Sequence, residues 1–165
     1  MDRTRSFQWH DPSAVAARAR ELPGVEFLRS IAGRDIIQAA PVAECLGFQL
    51  TEVDVGRVVF ELTPGEYLYN PIGSVHGGVL ATLCDSAAGA AVHSTLPAGV
   101  GYTTLELKVS FLRAVTSASG RLRCQGSVLS AGSRVATSQA HLYDAAGELC
   151  AHATSTCLIL RPERR

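Results

Sequence analysis

The stretch GGVLATLCDSAAGAAV, residues 77–92, carries a single charged side chain, Asp85, among small and aliphatic neighbours. A carboxylate in such surroundings is costly to desolvate unless partners compensate it. Carboxylates kept in that condition gather in functional clefts, where they serve as nucleophile or general base. The plainer alternative is an aspartate that reaches solvent or a neighbouring arginine. The same stretch opens on Gly77 and Gly78, directly after His76. In a helix starting there, their amides are among the first four N–H groups without an intrahelical acceptor. With the helix dipole behind them, such donors suit a developing oxyanion, and glycine leaves a substrate carbonyl room to approach. Tight packing of the helix start against a strand is the competing explanation. Together, a carboxylate and an oxyanion donor are the equipment for attack on an acyl carbon.

The spacing constrains how they can act. Gly77 and Asp85 are eight residues apart, about 12 Å along a helix axis, so one helix cannot present both groups to one carbonyl. If both act on the same carbon, one of them comes from a second copy of the helix, antiparallel across a twofold axis. The chemistry therefore predicts a homodimer with two equivalent composite sites.

The elements that must position these groups are legible in outline. Pro12 and AVAARAREL, then the Pro23-Gly24 break and VEFLRSIAG up to Gly33, predict two short N-terminal helices. From Cys45 to Leu62 β-branched and aromatic residues dominate, and Val58, Phe60 and Leu62 alternate with Arg57, Val59 and Glu61, which predicts a hairpin of half-buried strands. PGEYLYNPIGSVH, residues 64–76, is an irregular loop by its prolines and glycines. The stretch after it has almost no polar face, the mark of a helix enclosed on most sides. Past Pro97-Ala98-Gly99, strands are expected over 102–112, 119–130, 134–143 and 149–160, broken at TSASG, SAGS and DAAGE. In the first of them Leu105, Leu107, Val109 and Phe111 alternate with Thr104, Glu106, Lys108 and Ser110, one face apolar and the other wet. Two strands, one buried helix and an antiparallel set of four are economically buried as a long curved sheet wrapped round the helix, an α+β arrangement. This divides the chain into an N-terminal helical extension at 1–41, one domain at 42–160 and a loose tail at 161–165.

Composition narrows the function. Fifteen Lys plus Arg against fifteen Asp plus Glu leave no net charge, so the positive field that nucleic-acid backbones demand is missing. The five cysteines, 45, 84, 124, 150 and 157, include no CxxC pair and read as reduced thiols, the expectation for a cytoplasmic protein. No metal-ligand spacing stands out, and no metal is expected. The start MDRTRSFQWHDPS has no apolar core of a signal peptide. The longest apolar run, about 16 residues from Gly77, falls short of the roughly 20 that a membrane span needs.

The segment NPIGSVHGGVLATLCDSAAGAAV resembles the PaaI-type and 4-hydroxybenzoyl-CoA-type hot-dog thioesterases. Asn70 opens the loop, His76-Gly77-Gly78 starts the helix and an acidic residue, Asp85, follows the histidine by nine positions; TTLELKVSFLRAV is similar to the family's central strand. The resemblance runs from about residue 42 to 160 and implies a hot-dog fold and hydrolysis of an acyl-CoA thioester, aromatic or medium-chain, to free acid and coenzyme A, with no cofactor, coenzyme A being part of the substrate. It implies Asp85 as nucleophile or general base, delivered from the opposite subunit, the Gly77 amide as polariser of the thioester carbonyl, and Asn70 as a group orienting substrate or water. Thr104, or Thr103 if the preceding loop is one residue longer, corresponds to an assisting hydroxyl. His76 caps the helix start rather than transferring protons, beside Gly78 at the substrate. Arg113 and Arg134 are candidates for the coenzyme A phosphates, with ordinary surface arginines as the alternative. The family forms at least dimers, and pairing into a tetramer is expected. Two departures stand out: Ala114 replaces a common proline, and Gly89 stands one turn beyond Asp85, where a hydroxyl residue sometimes sits. Ala88, Gly89 and Val92 are then the expected lining of the acyl pocket.

Two rival activities remain. A hot-dog dehydratase or hydratase has a histidine about fourteen residues before the helix carboxylate, where this chain has Pro71. A non-catalytic acyl-CoA-binding module shares the fold but releases no thiol; no DNA-binding helix pair accompanies the domain to suggest a repressor.

Overall fold

The computed structural model describes residues 3–33 and 40–162. The end of the expected tail, 163–165, and part of the 1–41 extension lie outside the described residues. Helix α1 (Pro12–Glu21) starts on Asp11, whose carboxylate accepts the Ser13 amide at 2.9 Å, and α2 (Gly24–Ala32) follows the Pro23 break. Helix α2 seats Phe27 and Leu28 in a cluster with Leu50, Val58, Ala90 and Ala91. A third helix, α3 (Pro41–Leu46), occupies the start of what the sequence predicts as strand. Pro41 stands at its first turn, and Gly47 closes it in the left-handed conformation at φ 81°, the end signal that overrides the β-propensity of Cys45 and Leu46. Extended backbone begins only at Phe48.

Six strands follow: β1 (Phe48–Asp54), β2 (Arg57–Leu62), β3 (Gly101–Phe111), β4 (Leu122–Ala131), β5 (Val135–Tyr143) and β6 (Leu149–Leu160), with helix α4 (Gly77–His93) between β2 and β3. They form one antiparallel sheet in the order β1-β2-β4-β5-β6-β3. The last four strands are therefore not paired in sequence order: β3 pairs β6 and β4 pairs β2. The connection from Phe111 to Leu122, with a 3-10 turn at Ser117–Ser119, is long enough to cross from one edge to the interior.

Helix α4 lies along the concave face of this hot-dog sheet and packs on β2, β3, β4, β5 and β6. Leu80, Leu83, Cys84, Ala87, Ala88, Ala91 and Val92 are buried beneath it, with Leu62, Leu122, Cys124, Ala140 and Leu142 among the opposing core. The small residues are needed because the backbones approach closely. A Cβ at Gly126 would sit 2.0 Å from the Ala87 carbonyl oxygen, a contact with rigid helix backbone that no rotamer relieves. Gly126→Ala is therefore expected to cost about 3 kcal/mol or more, read as a lower urea midpoint at unchanged m-value. An unaltered midpoint would mean that the helix can lift off the sheet freely.

Candidate active site

His76 is the N-cap of α4: its backbone is extended, and Nδ1 accepts the Gly78 amide at 2.9 Å. The Val79 amide donates to the His76 carbonyl at 2.9 Å. The Gly78 N–H is thereby engaged within the cap. The Gly77 N–H has no acceptor among the described residues. It lies in a cleft of about 340 Å³ lined by Asn70, Gly77, Leu80, Phe111, Arg113 and Val115, among others. The Phe111 ring lies over the glycine: a Cβ there would meet Phe111 Cζ at 3.1 Å. Sequence reading gave Phe111 no place in the site.

The loop before the helix is held by Asn70. Its Oδ1 accepts the amides of Ile72 and Ser74, both at 3.1 Å, and its Nδ2 donates to Ser74 Oγ at 3.0 Å. The Asn70 amide also donates to the Ser74 carbonyl at 2.7 Å. The carboxamide is thus engaged with its own loop and keeps one N–H of Nδ2 for another partner. The loop runs on through Val75, whose amide donates to the Val115 carbonyl at 2.8 Å, so the wall of the cleft is fixed to the β3–β4 connection.

Asp85 stands on the side of α4 that the chain leaves partly open; Ala81, Thr82, Asp85 and Ser86 are only half-buried while their neighbours are enclosed. Thr104 Oγ1 donates to Asp85 Oδ1 at 3.0 Å. What puts Thr104 there is a bulge. The β3–β6 register pairs Thr104 with Cys157 and then Glu106 with Thr156, skipping Leu105. An inserted residue inverts the alternation, so Thr104 faces the helix and so do Leu107 and Val109 beyond it. The strict alternation expected from sequence fails at this point, and Leu105, expected inside, is 59% exposed. Thr103 is exposed as well, which leaves Thr104 as the hydroxyl beside the carboxylate.

Two further groups crowd the same spot. Cys157 is fully buried, and burial is the main cause that pushes its thiol pKa up, with the nearby Asp85 adding to it. The thiol stays protonated at neutral pH and does not compete as a nucleophile. Tyr102 is likewise pushed up by burial first and by Cys157 and Asp85 next, so its hydroxyl remains a donor. Ala88 and Val92, expected as pocket lining, are fully buried against the sheet, and Gly89 is covered by Tyr102.

Arg113 and Arg134 stand at opposite ends of β3. Arg113 follows Phe111 next to Gly77 and holds Glu148 at 2.6 Å on the surface. Arg134, in the β4–β5 turn, is exposed, and its carbonyl accepts the amide of Ile159, the β6 partner of Tyr102. Helix α4 is unbroken over 17 residues, so Gly77 and Asp85 remain about 12 Å apart along its axis. Within the single chain the Asp85 carboxylate and the Gly77 amide therefore do not meet. Among the described residues no group of three or more His, Cys, Asp or Glu side chains could hold a metal ion.

Comparison with known proteins agrees with this architecture. The family pattern of the thioesterase superfamily matches residues 72–151, from the loop before α4 into β6. A protein of Saccharolobus solfataricus named "Putative esterase" is 30% identical over 124 residues, 75% of this chain and 86% of that protein. A Halobacterium salinarum protein of the same description is 44% identical over 78 residues, and the chain spans only about half of it, 46%. Among solved structures, a phenylacetic acid degradation-related protein of Ralstonia eutropha, described as a putative thioesterase, superposes with a TM-score of 0.71 at 30% identity, covering 79% of this chain and 98% of that one. With the loop, helix tip, carboxylate and bulged strand in place, the chain belongs to the thioesterase superfamily, among its PaaI-like hot-dog members.

Proposed function

We propose that the chain hydrolyses an acyl-coenzyme A thioester to the free acid and coenzyme A, at two sites shared between the subunits of a homodimer. The observation that carries this reading is the pair of unfinished half-sites. A Thr104-held carboxylate lies on the open flank of α4, and an unclaimed amide lies at the tip of the same helix, too far away to serve one carbonyl. Strand β3 supports it, since it forms one edge of the sheet over 11 residues, with no strand paired to its outer side among the described residues. Such an edge is a template for a second copy. Antiparallel pairing of two β3 edges runs the two α4 helices in opposite directions and brings each Asp85 toward its twin's Gly77.

In that arrangement the Gly77 N–H and the helix dipole hold the thioester oxygen as it becomes an oxyanion. Asp85 either takes the proton from the attacking water or attacks the carbonyl itself, giving an acyl-enzyme anhydride that water then cleaves. In both routes the C–S bond breaks when the tetrahedral intermediate collapses, and coenzyme A leaves as the thiolate. Thr104, donating to one carboxylate oxygen, leaves the other to face the substrate. Arg113, beside the Gly77 cleft, is placed to exchange Glu148 for a coenzyme A phosphate. The four fully buried thiols suit a reducing, cytoplasmic compartment. Release of free thiol from a panel of acyl-CoAs tests the reading; tight binding with no thiol released would instead make the chain an acyl-CoA-binding module.

A further inference from the structure

We propose that Tyr102, occupying the room left by Gly89, sets how far an acyl group can extend past Asp85 and restricts this chain to short or compact acyl thioesters. This rests on the assignment of Asp85 to the reacting carbonyl. A carbonyl within reach of Asp85 has its acyl group against the flank of α4 on which Ala81, Thr82, Asp85 and Ser86 are half-buried, next to Thr104 of β3 at 3.0 Å from the carboxylate. One helical turn further, at Gly89, that flank is closed by the Tyr102 side chain. Tyr102 lies two residues before Thr104 on the helix-facing side of β3, and a Cβ on Gly89 would meet its Oη at 2.7 Å and its Cε2 at 2.8 Å. The ring therefore fills the space that any larger residue at 89 would take.

The ring is also braced from behind. His93, at the end of α4, packs on Tyr102 with ring centroids 5.6 Å apart, and Phe27 of α2 packs on His93 at 5.4 Å. A chain running along α4 from Asp85 toward His93 would have to push this three-ring stack against the buried face of α2. Close-packed interiors resist such displacement. The Tyr102 hydroxyl has no hydrogen-bond partner among the described residues, so nothing anchors it against the acyl group except this packing.

The test is kcat/KM for saturated acyl-CoAs from acetyl to decanoyl with wild type, Tyr102→Ala, Tyr102→Leu and Tyr102→Phe. Wild-type rates should fall beyond a short chain length. Tyr102→Ala should move the optimum to longer chains by two or more methylenes. Each newly buried methylene is worth about fourfold, so the ratio of long-chain to short-chain kcat/KM should rise at least about tenfold. Tyr102→Phe, which keeps the ring, should retain the wild-type length profile, and Tyr102→Leu, which keeps apolar packing on His93, should shift it in the same direction as alanine if the alanine variant does not fold. A folded Tyr102→Ala or Tyr102→Leu protein with the wild-type profile overturns the proposal. If the wild-type protein releases no thiol, the hydrolase reading fails by itself. The same length series is then read as dissociation constants by calorimetry, and an unshifted binding profile in the variants overturns the proposal independently.

Discussion

Asp85→Asn is expected to lower kcat by about three orders of magnitude, the middle of the range for removing a positioned general base, while leaving the fold intact. Asparagine keeps the size of the side chain and an Oδ1 that can still accept from Thr104, whose hydroxyl now stands 3.0 Å from the carboxylate. It removes the charge and the lone pairs that take a proton or attack carbon. Because Asp85 is only half-buried in the single chain, neutralising it should not cost stability, and withdrawing a carboxylate from an apolar helix can even raise it. Thiol release measures the first effect and thermal denaturation the second. A variant that keeps more than a tenth of wild-type kcat would show that the carboxylate is not the reacting group.

Gly77→Pro is expected to be the next most damaging change, lowering kcat by about 10²- to 10³-fold, as loss of one oxyanion donor does. Proline is tolerated at the first position of a helix, where the missing N–H has no intrahelical acceptor. His76 already has the extended backbone that a residue before proline requires, φ −61° and ψ 134°. The substitution therefore deletes the donor and leaves the helix. The added ring presses on Phe111, which is 54% exposed and free to give way; Gly77→Ala adds the same Cβ but keeps the N–H and should lose far less. Because the two groups act across the subunit boundary in the proposed dimer, mixing the Asp85→Asn and Gly77→Pro proteins should restore activity. Random reassortment makes half the dimers mixed, each with one of its two sites intact, about a quarter of wild-type activity. Mixed dimers that form but stay inactive would place both groups on the same subunit's substrate and remove the need for pairing.

Much of the site was legible because its chemistry is local. The HGG triplet, the charge nine residues on and the loop asparagine identify themselves by type and spacing, and the capping role of His76 followed from its place before the first helical residue. Other features escaped because they are set by partners distant in sequence. The third helix was hidden by the β-propensity of Cys45 and Leu46 until Gly47 was seen to close it. The inward turn of Thr104 and the exposure of Leu105 escaped because a bulge depends on the pairing with β6, which no single strand displays, while Leu107 and Val109 face the helix as their alternation predicts. The Gly78 amide looked free until its histidine neighbour was found folded back on it. Tyr102 carried one faint signal: it covers Gly89, and a glycine in the middle of a helix asks what lies against it.

The sequence by itself determined the kinds of group available and their separation along one helix, since 1.5 Å per residue fixes how far apart Gly77 and Asp85 can be. It also determined that a helix so poor in polar residues must be wrapped by a sheet. Only the tertiary structure decided which residues meet: that Thr104 rather than Thr103 reaches the carboxylate, that Tyr102 covers Gly89, and that β3 ends up on an edge beyond β6. The reason is physical. Spacing within a helix is a property of the backbone, whereas a contact between strands and helix depends on register, and one inserted residue at Leu105 turns every later side chain to the opposite face.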